Sequence, residues 1–135
     1  MNYWTKIFFV VFALGISIIT WVQINSLTRP SSAPVPVIQK LYFEGTIGGK
    51  HAMSISIDQV GRNITGTVIN THREIRKLKG SISEDKTFLF SEYLKDQVTG
   101  TFEGKILSNG NMRGSWSTPP GVKRYPFYLN RKQRI

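Results

Sequence analysis

The sequence contains no cysteine, which excludes a disulfide framework, thiolate catalysis and cysteine-based zinc sites. It has two histidines, His51 and His72. Both fall at turn positions, where an imidazole is ordinarily solvated. Acids are also scarce: eight Asp and Glu oppose 18 Lys and Arg, for a formal charge of +10 over 135 residues. Only Glu84 and Asp85 are adjacent, in a segment where acids ordinarily serve as turn formers. No carboxylate pair for glycosidic chemistry and no nucleophile with a neighbouring base can be assembled from this inventory. Gly48-Gly49 precedes no helical pattern and so reads as a turn, not as a phosphate cradle. The chain is expected to be non-catalytic, with no catalytic, cofactor-binding or metal-ligating residues and no cofactor.

What is present is one long apolar run and a second, differently patterned region. Ile7 to Ile24 carries no charge, and its only polar members are Ser17, Thr20 and Gln23. At about 1.5 Å per residue, such a run crosses a bilayer core as a helix. Tyr3, Trp4 and Trp21 stand where interfacial aromatic anchors belong. A cleaved secretory signal is the alternative. The run exceeds the roughly 7–15 residues of a signal core, and Pro34 follows the one small-residue triplet, Ser31-Ser32-Ala33. Residues 1–25 are therefore expected to be a retained transmembrane anchor, with Ala13, Gly15 and Ser17 allowing close packing against another helix. Residues 26–37, rich in Pro and Ser, read as an extended linker.

From Leu41 the hydrophobic period becomes two. Leu41, Phe43, Gly45 and Ile47 form one inward set, followed by Met53, Ile55 and Ile57, and then by Ile64, Gly66 and Val68. The pattern continues through Leu78, Gly80 and Ile82, then Phe88 and Phe90. Val98, Gly100, Phe102, Gly104 and Ile106 come next, then Met112, Gly114 and Trp116, and finally Tyr125, Phe127 and Leu129. Turn signals at Gly48-Gly49, Gln59-Val60-Gly61, Thr71-His72, Glu84-Asp85, Lys95-Asp96, Asn109-Gly110 and Pro119-Pro120-Gly121 separate them. Links this short force antiparallel neighbours. The prediction is a mainly β chain: a transmembrane helix followed by a small antiparallel up-and-down barrel of about eight strands over residues 38–130, then a basic tail, 131–135. A two-sheet sandwich is the alternative.

Gly45, Gly66, Gly80, Gly100 and Gly114 share the inward phase of their strands, and every second one is spaced by 34 or 35 residues. Inward glycines let a sheet coil sharply and leave room for large side chains on the opposite wall. Phe43-Glu44-Gly45-Thr46-Ile47-Gly48, Thr99-Gly100-Thr101-Phe102-Glu103-Gly104 and Gly114-Ser115-Trp116 ahead of Phe127-Tyr128-Leu129 resemble small exported bacterial β-domains and, in outline, the calycin barrels that include avidins and lipocalins. The resemblance implies, as the second reading of function, binding of a small apolar ligand. A short N-terminal tail followed by a span and a long folded domain is the usual layout of a signal anchor, so the chain is expected at the bacterial inner membrane with the domain in the periplasm or otherwise outside the cytoplasm.

Charge concentrates in two places. Arg73, Arg76, Lys77 and Lys79 form one basic segment with His72, and Lys123, Arg124, Arg131, Lys132 and Arg134 form another, with Tyr128 pointing outward beside it. A purely solvating face is the plain alternative. Attraction to anionic lipid or to an acidic protein is the sharper reading for a domain held close to a bilayer. Nucleic-acid binding would require exposed aromatics among the basic residues, and it is not expected. The function expected is that of a membrane-anchored accessory subunit, whose partners are the membrane, other membrane-protein subunits and anionic lipid.

Overall fold

The computed structural model describes residues 33–134. The predicted anchor, with Ala13, Gly15 and Ser17, and the first part of the linker lie outside the described residues. Eight strands follow one another: β1 (Gln39–Ile47), β2 (His51–Val60), β3 (Asn63–Ile69), β4 (Ile75–Ile82), β5 (Thr87–Leu94), β6 (Gln97–Ile106), β7 (Met112–Ser117) and β8 (Arg124–Lys132). Each pairs antiparallel with the next, and β1 pairs with β8, closing a barrel in strict sequence order. Closure leaves no strand edge open, which is what a small all-β domain must otherwise protect. The barrel replaces the two-sheet sandwich alternative.

Eight strands enclose a space just wide enough for side chains to fill, and here they fill it. Phe43, Phe90, Phe102, Ile55, Ile57, Leu78, Met112 and Leu129 are all fully buried. Phe88 and Phe90 stack with ring centroids 4.8 Å apart, and Phe102 meets Phe127 edge-on at 5.5 Å. The inward glycines make room in two different ways. Gly104 faces Gly114 directly across β6 and β7, and a Cβ on Gly104 would fall 2.6 Å from the Gly114 Cα. Gly100 lies beneath the Trp116 indole, where a Cβ would fall 2.5 Å from Cε2.

One departure from the period-two reading comes from an irregularity in β6. Glu92 pairs with Gly100 but Tyr93 pairs with Val98, so Thr99 is an extra residue, a bulge in β6. The bulge turns Val98 outward, to 45% exposure, although its spacing placed it inside. On the opposite strand Glu92 keeps the phase of Phe88 and Phe90 and is buried at 5% exposure. Tyr125 holds the inward phase but sits at the open end of the barrel, 43% exposed and stacked on Trp116. β8 continues to Lys132, so Arg131 and Lys132 belong to the barrel wall and not to a free tail.

The meander gives the barrel two unlike ends. The entry rim carries the start of β1, the end of β8, and the turns after β2, β4 and β6. The far rim carries the turns after β1, β3, β5 and β7.

Candidate functional site

Arg131 continues the inward phase of Phe127 and Leu129, so at the end of β8 its side chain turns across the barrel mouth. Its guanidinium carbon stands 5.4 Å from the centre of the Phe43 ring, a cation–π placement that holds the charge over an apolar surface. The backbone beneath it is pinned by Asn111: the Arg131 N–H donates to Asn111 Oδ1 at 3.0 Å, and Asn111 Nδ2 donates to the Tyr128 hydroxyl at 2.8 Å. Tyr128 is thus outward and exposed, as expected, and braces this corner.

Two lysines from other parts of the chain reach the same mouth. Lys86 occupies a left-handed position (φ 69°) in the turn between β4 and β5. That turn is held by the Lys86 N–H donating to the Ser83 carbonyl at 3.0 Å and by the Ile106 N–H donating to the Lys86 carbonyl at 2.9 Å. Lys105 comes from the end of β6. With Arg131 they surround a recess of about 790 Å³ that includes the buried side chains Leu41 and Ile82 and the half-buried Ile106, and no acid lines it.

The acids of this rim are engaged elsewhere. Asp58 pairs with Lys40 at 3.0 Å, and Glu84 pairs with Arg62. Asp85 accepts from the Thr87 hydroxyl at 2.7 Å and the Thr87 N–H at 3.1 Å. Those bonds, the hydroxyl first, pull its carboxyl below the ordinary value. Among the described residues no carboxylate lies within 4 Å of Lys86, Lys105, Arg131, Lys132 or Arg134. Arg134 instead packs its guanidinium 5.5 Å from the Tyr42 ring. The Tyr42 hydroxyl donates to Glu44 at 2.6 Å, which raises its pKa.

The two basic clusters expected from sequence do not survive as units. Lys123 and Arg124 sit at the far rim and Arg131, Lys132 and Arg134 at the entry rim, separated by the length of β8. Arg124 is paired with Glu103 and donates to the Ser115 hydroxyl at 3.0 Å. Arg73 lies in the far-rim turn between β3 and β4, while Lys77 and Lys79 stand on the outer wall, Lys79 5.8 Å from the Tyr93 ring. Arg76 is not a surface charge. It shares the inward phase of Leu78, and its side chain is 22% exposed.

Arg76 donates through Nη1 to Glu92 Oε1 at 3.1 Å and through Nη2 to Glu74 Oε2 at 2.9 Å. Thr99, the bulge residue, donates its hydroxyl to the same Glu92 oxygen at 2.8 Å. Hydrogen bonding to Glu74 leads the causes that raise the Arg76 pKa, and Arg76 in turn lowers that of Glu74. Arg76 Nε and Trp116 Nε1 are buried without a hydrogen-bond partner. The group joins β4, β5 and β6 around one buried carboxylate. Its chemistry is that of a clamp.

Lys86 and Lys105 were missed as site residues because each stands alone in sequence. The signal that could have found them is parity: in a meander, alternate turns lie at the same end, so the turn after β4, the end of β6 and the end of β8 must meet. Among the described residues no helix is long and apolar enough to cross a membrane, and no three metal-binding side chains converge. Compared with known proteins, the chain matches no family model and no curated sequence.

Proposed function

We propose that this chain is a non-catalytic, single-span membrane protein of the bacterial inner membrane. In this reading residues 1–25 anchor it, and the barrel, outside the cytoplasm, docks by its entry rim on an anionic membrane surface as an accessory to a membrane complex. One observation carries this reading: among the described residues no carboxylate lies within 4 Å of Lys86, Lys105, Arg131, Lys132 or Arg134, which gather at the rim where β1 enters the barrel. The uncharged run from Ile7 to Ile24 supports the anchor. A rim of this sign beside a short linker stays close to anionic headgroups, each cation near the surface contributing about 1 kcal/mol. The filled interior speaks against the second reading, an apolar ligand held inside the barrel.

The barrel has its own core and a complete ring of strand pairs within residues 39–132, so residues 36–135 serve as a soluble test domain. Sedimentation with vesicles tests the reading. The domain is expected to pellet with vesicles containing phosphatidylglycerol but not with pure phosphatidylcholine, and to be released as salt is raised. Equal recovery from both vesicle types would remove the lipid-docking proposal.

A further inference from the structure

The entry-rim recess has more structure than a charged surface requires. Its three cations come from the turn after β4, from β6 and from β8, so no single solvated strand face accounts for them. Two of the three have their backbone fixed by named bonds: Lys86 through Ser83 and Ile106, and Arg131 through Asn111. Arg131 is held by Phe43, with no carboxylate within 4 Å among the described residues. A guanidinium and two ammonium side chains lining one recess suit a phosphate, the guanidinium supplying paired N–H donors and the lysines supplying point charge.

We propose that this recess is a site for a single phosphate headgroup, and that its occupant is the phosphoglycerol head of an anionic glycerophospholipid. The proposal rests on the docking of the entry rim and adds to it a defined stoichiometry and a defined ligand. Its volume of about 790 Å³ lies within the roughly 300–1,000 Å³ typical of small-molecule sites. Leu41, Ile82 and Ile106 offer an apolar surface to the glycerol carbons. An acyl chain cannot follow, because Phe43, Ile57 and Leu129 fill the barrel. The site therefore reads the head and leaves the tails in the bilayer.

The test uses the full-length protein in a neutral detergent, titrated with short-chain phosphatidylglycerol, short-chain phosphatidylcholine and free glycerol phosphate. Native mass spectrometry counts bound lipid, and amide NMR shifts locate each ligand. One phosphatidylglycerol is expected to bind saturably, shifting the amides of Lys86, Lys105 and Arg131. Phosphatidylcholine should bind at least tenfold more weakly, as should phosphatidylglycerol to K86Q/K105Q. R131Q should weaken it comparably, while K77Q/K79Q, on the outer wall away from the recess, should leave this one-to-one affinity within twofold. Because the recess reads the head alone, glycerol phosphate is expected to shift the same amides, but the lipid shares the protein's micelle and so acts at a higher effective concentration. Glycerol phosphate that displaces phosphatidylglycerol at equal bulk concentration would overturn the lipid assignment. Non-saturable binding, or unchanged affinity in K86Q/K105Q, would overturn the site itself. Vesicle docking by the native protein without saturable one-to-one binding would retain the docking proposal and reject the recess. One-to-one binding without vesicle docking would do the reverse.

Discussion

Gly114→Ala is the most direct test of how this barrel closes on itself. A Cβ at this position would fall 2.9 Å from the Gly104 Cα and nearer still to the Glu103 carbonyl oxygen, whereas unstrained carbon contacts lie near 3.5–4.0 Å. These atoms are backbone, so no side chain can swing away. β6 and β7 must separate by roughly 1 Å where Glu103 faces Ser115 and Gly104 faces Gly114. Overpacking of this kind costs about 1–3 kcal/mol, and weakening one ladder bond adds about 1 kcal/mol. Loss of the glycine's freedom in the unfolded chain returns about 0.4–1 kcal/mol. The net is a loss of about 2–3 kcal/mol, or roughly 10–20 °C in Tm for a domain of this size. Gly49→Ala is the comparison: its φ of +73° disfavours a side chain, but no atom lies within 4 Å, so it pays only the local backbone term of about 1–2 kcal/mol. Thermal melts of residues 36–135 decide the matter. A Gly114→Ala domain that melts at or above Gly49→Ala would refute the close approach of β6 and β7.

Two further predictions concern the acids. Glu92→Leu removes the buried partner of Arg76 and is expected to destabilise by about 2–3 kcal/mol, below the roughly 3–5 of a fully buried pair, because Arg76 keeps Glu74. Adding Arg76→Leu should recover most of the loss in chemical denaturation, since the uncompensated charge is then gone, and a double variant worse than either single would contradict the clamp. Glu74 and Asp85 have carboxyls held below their ordinary values of 4.5 and 3.8, first by bonding to Arg76 and to the Thr87 hydroxyl respectively. Their contribution is therefore complete above those ordinary values and is lost as pH falls through the lowered ones. Tm measured against pH should fall on the acid side, and the fall should be shallower in Glu74→Gln/Asp85→Asn. An equally steep acid limb in that variant would remove the assignment.

The alternation of Leu41, Phe43, Met53, Ile55 and Ile57 was enough to read strands and their inward faces, because in a closed sheet the period of two is a direct record of burial. Closure was legible through the glycines. The Thr99 bulge was not, since Val98 and Gly100 keep perfect alternation with Phe102 and no residue type marks the extra position. Arg76 was misplaced for a different reason. Its parity with Leu78, Gly80 and Ile82 was already visible, but the neighbouring cations made the segment look like one exposed face. The entry rim depended on three-dimensional parity: nine residues of β8 at about 3.3 Å each place Arg124 and Lys132 at opposite ends.

The pairing of β1 with β8 has a consequence for the order of folding. Every other pair in the barrel joins consecutive strands across a short turn, and such hairpins form in about 1–10 μs. The seam alone joins distant segments, bringing Gly45 beside Leu129, and it must close a loop whose entropy cost grows with length. Propagation along the meander can proceed from any hairpin, but the sheet keeps two open edges until the seam zips. Interactions formed only at that step, such as Arg131 over Phe43, are absent from earlier species, so they are expected to act on the unfolding rate more than on the folding rate. The seam is thus the place where the lifetime of the native barrel, as distinct from its equilibrium stability, is set.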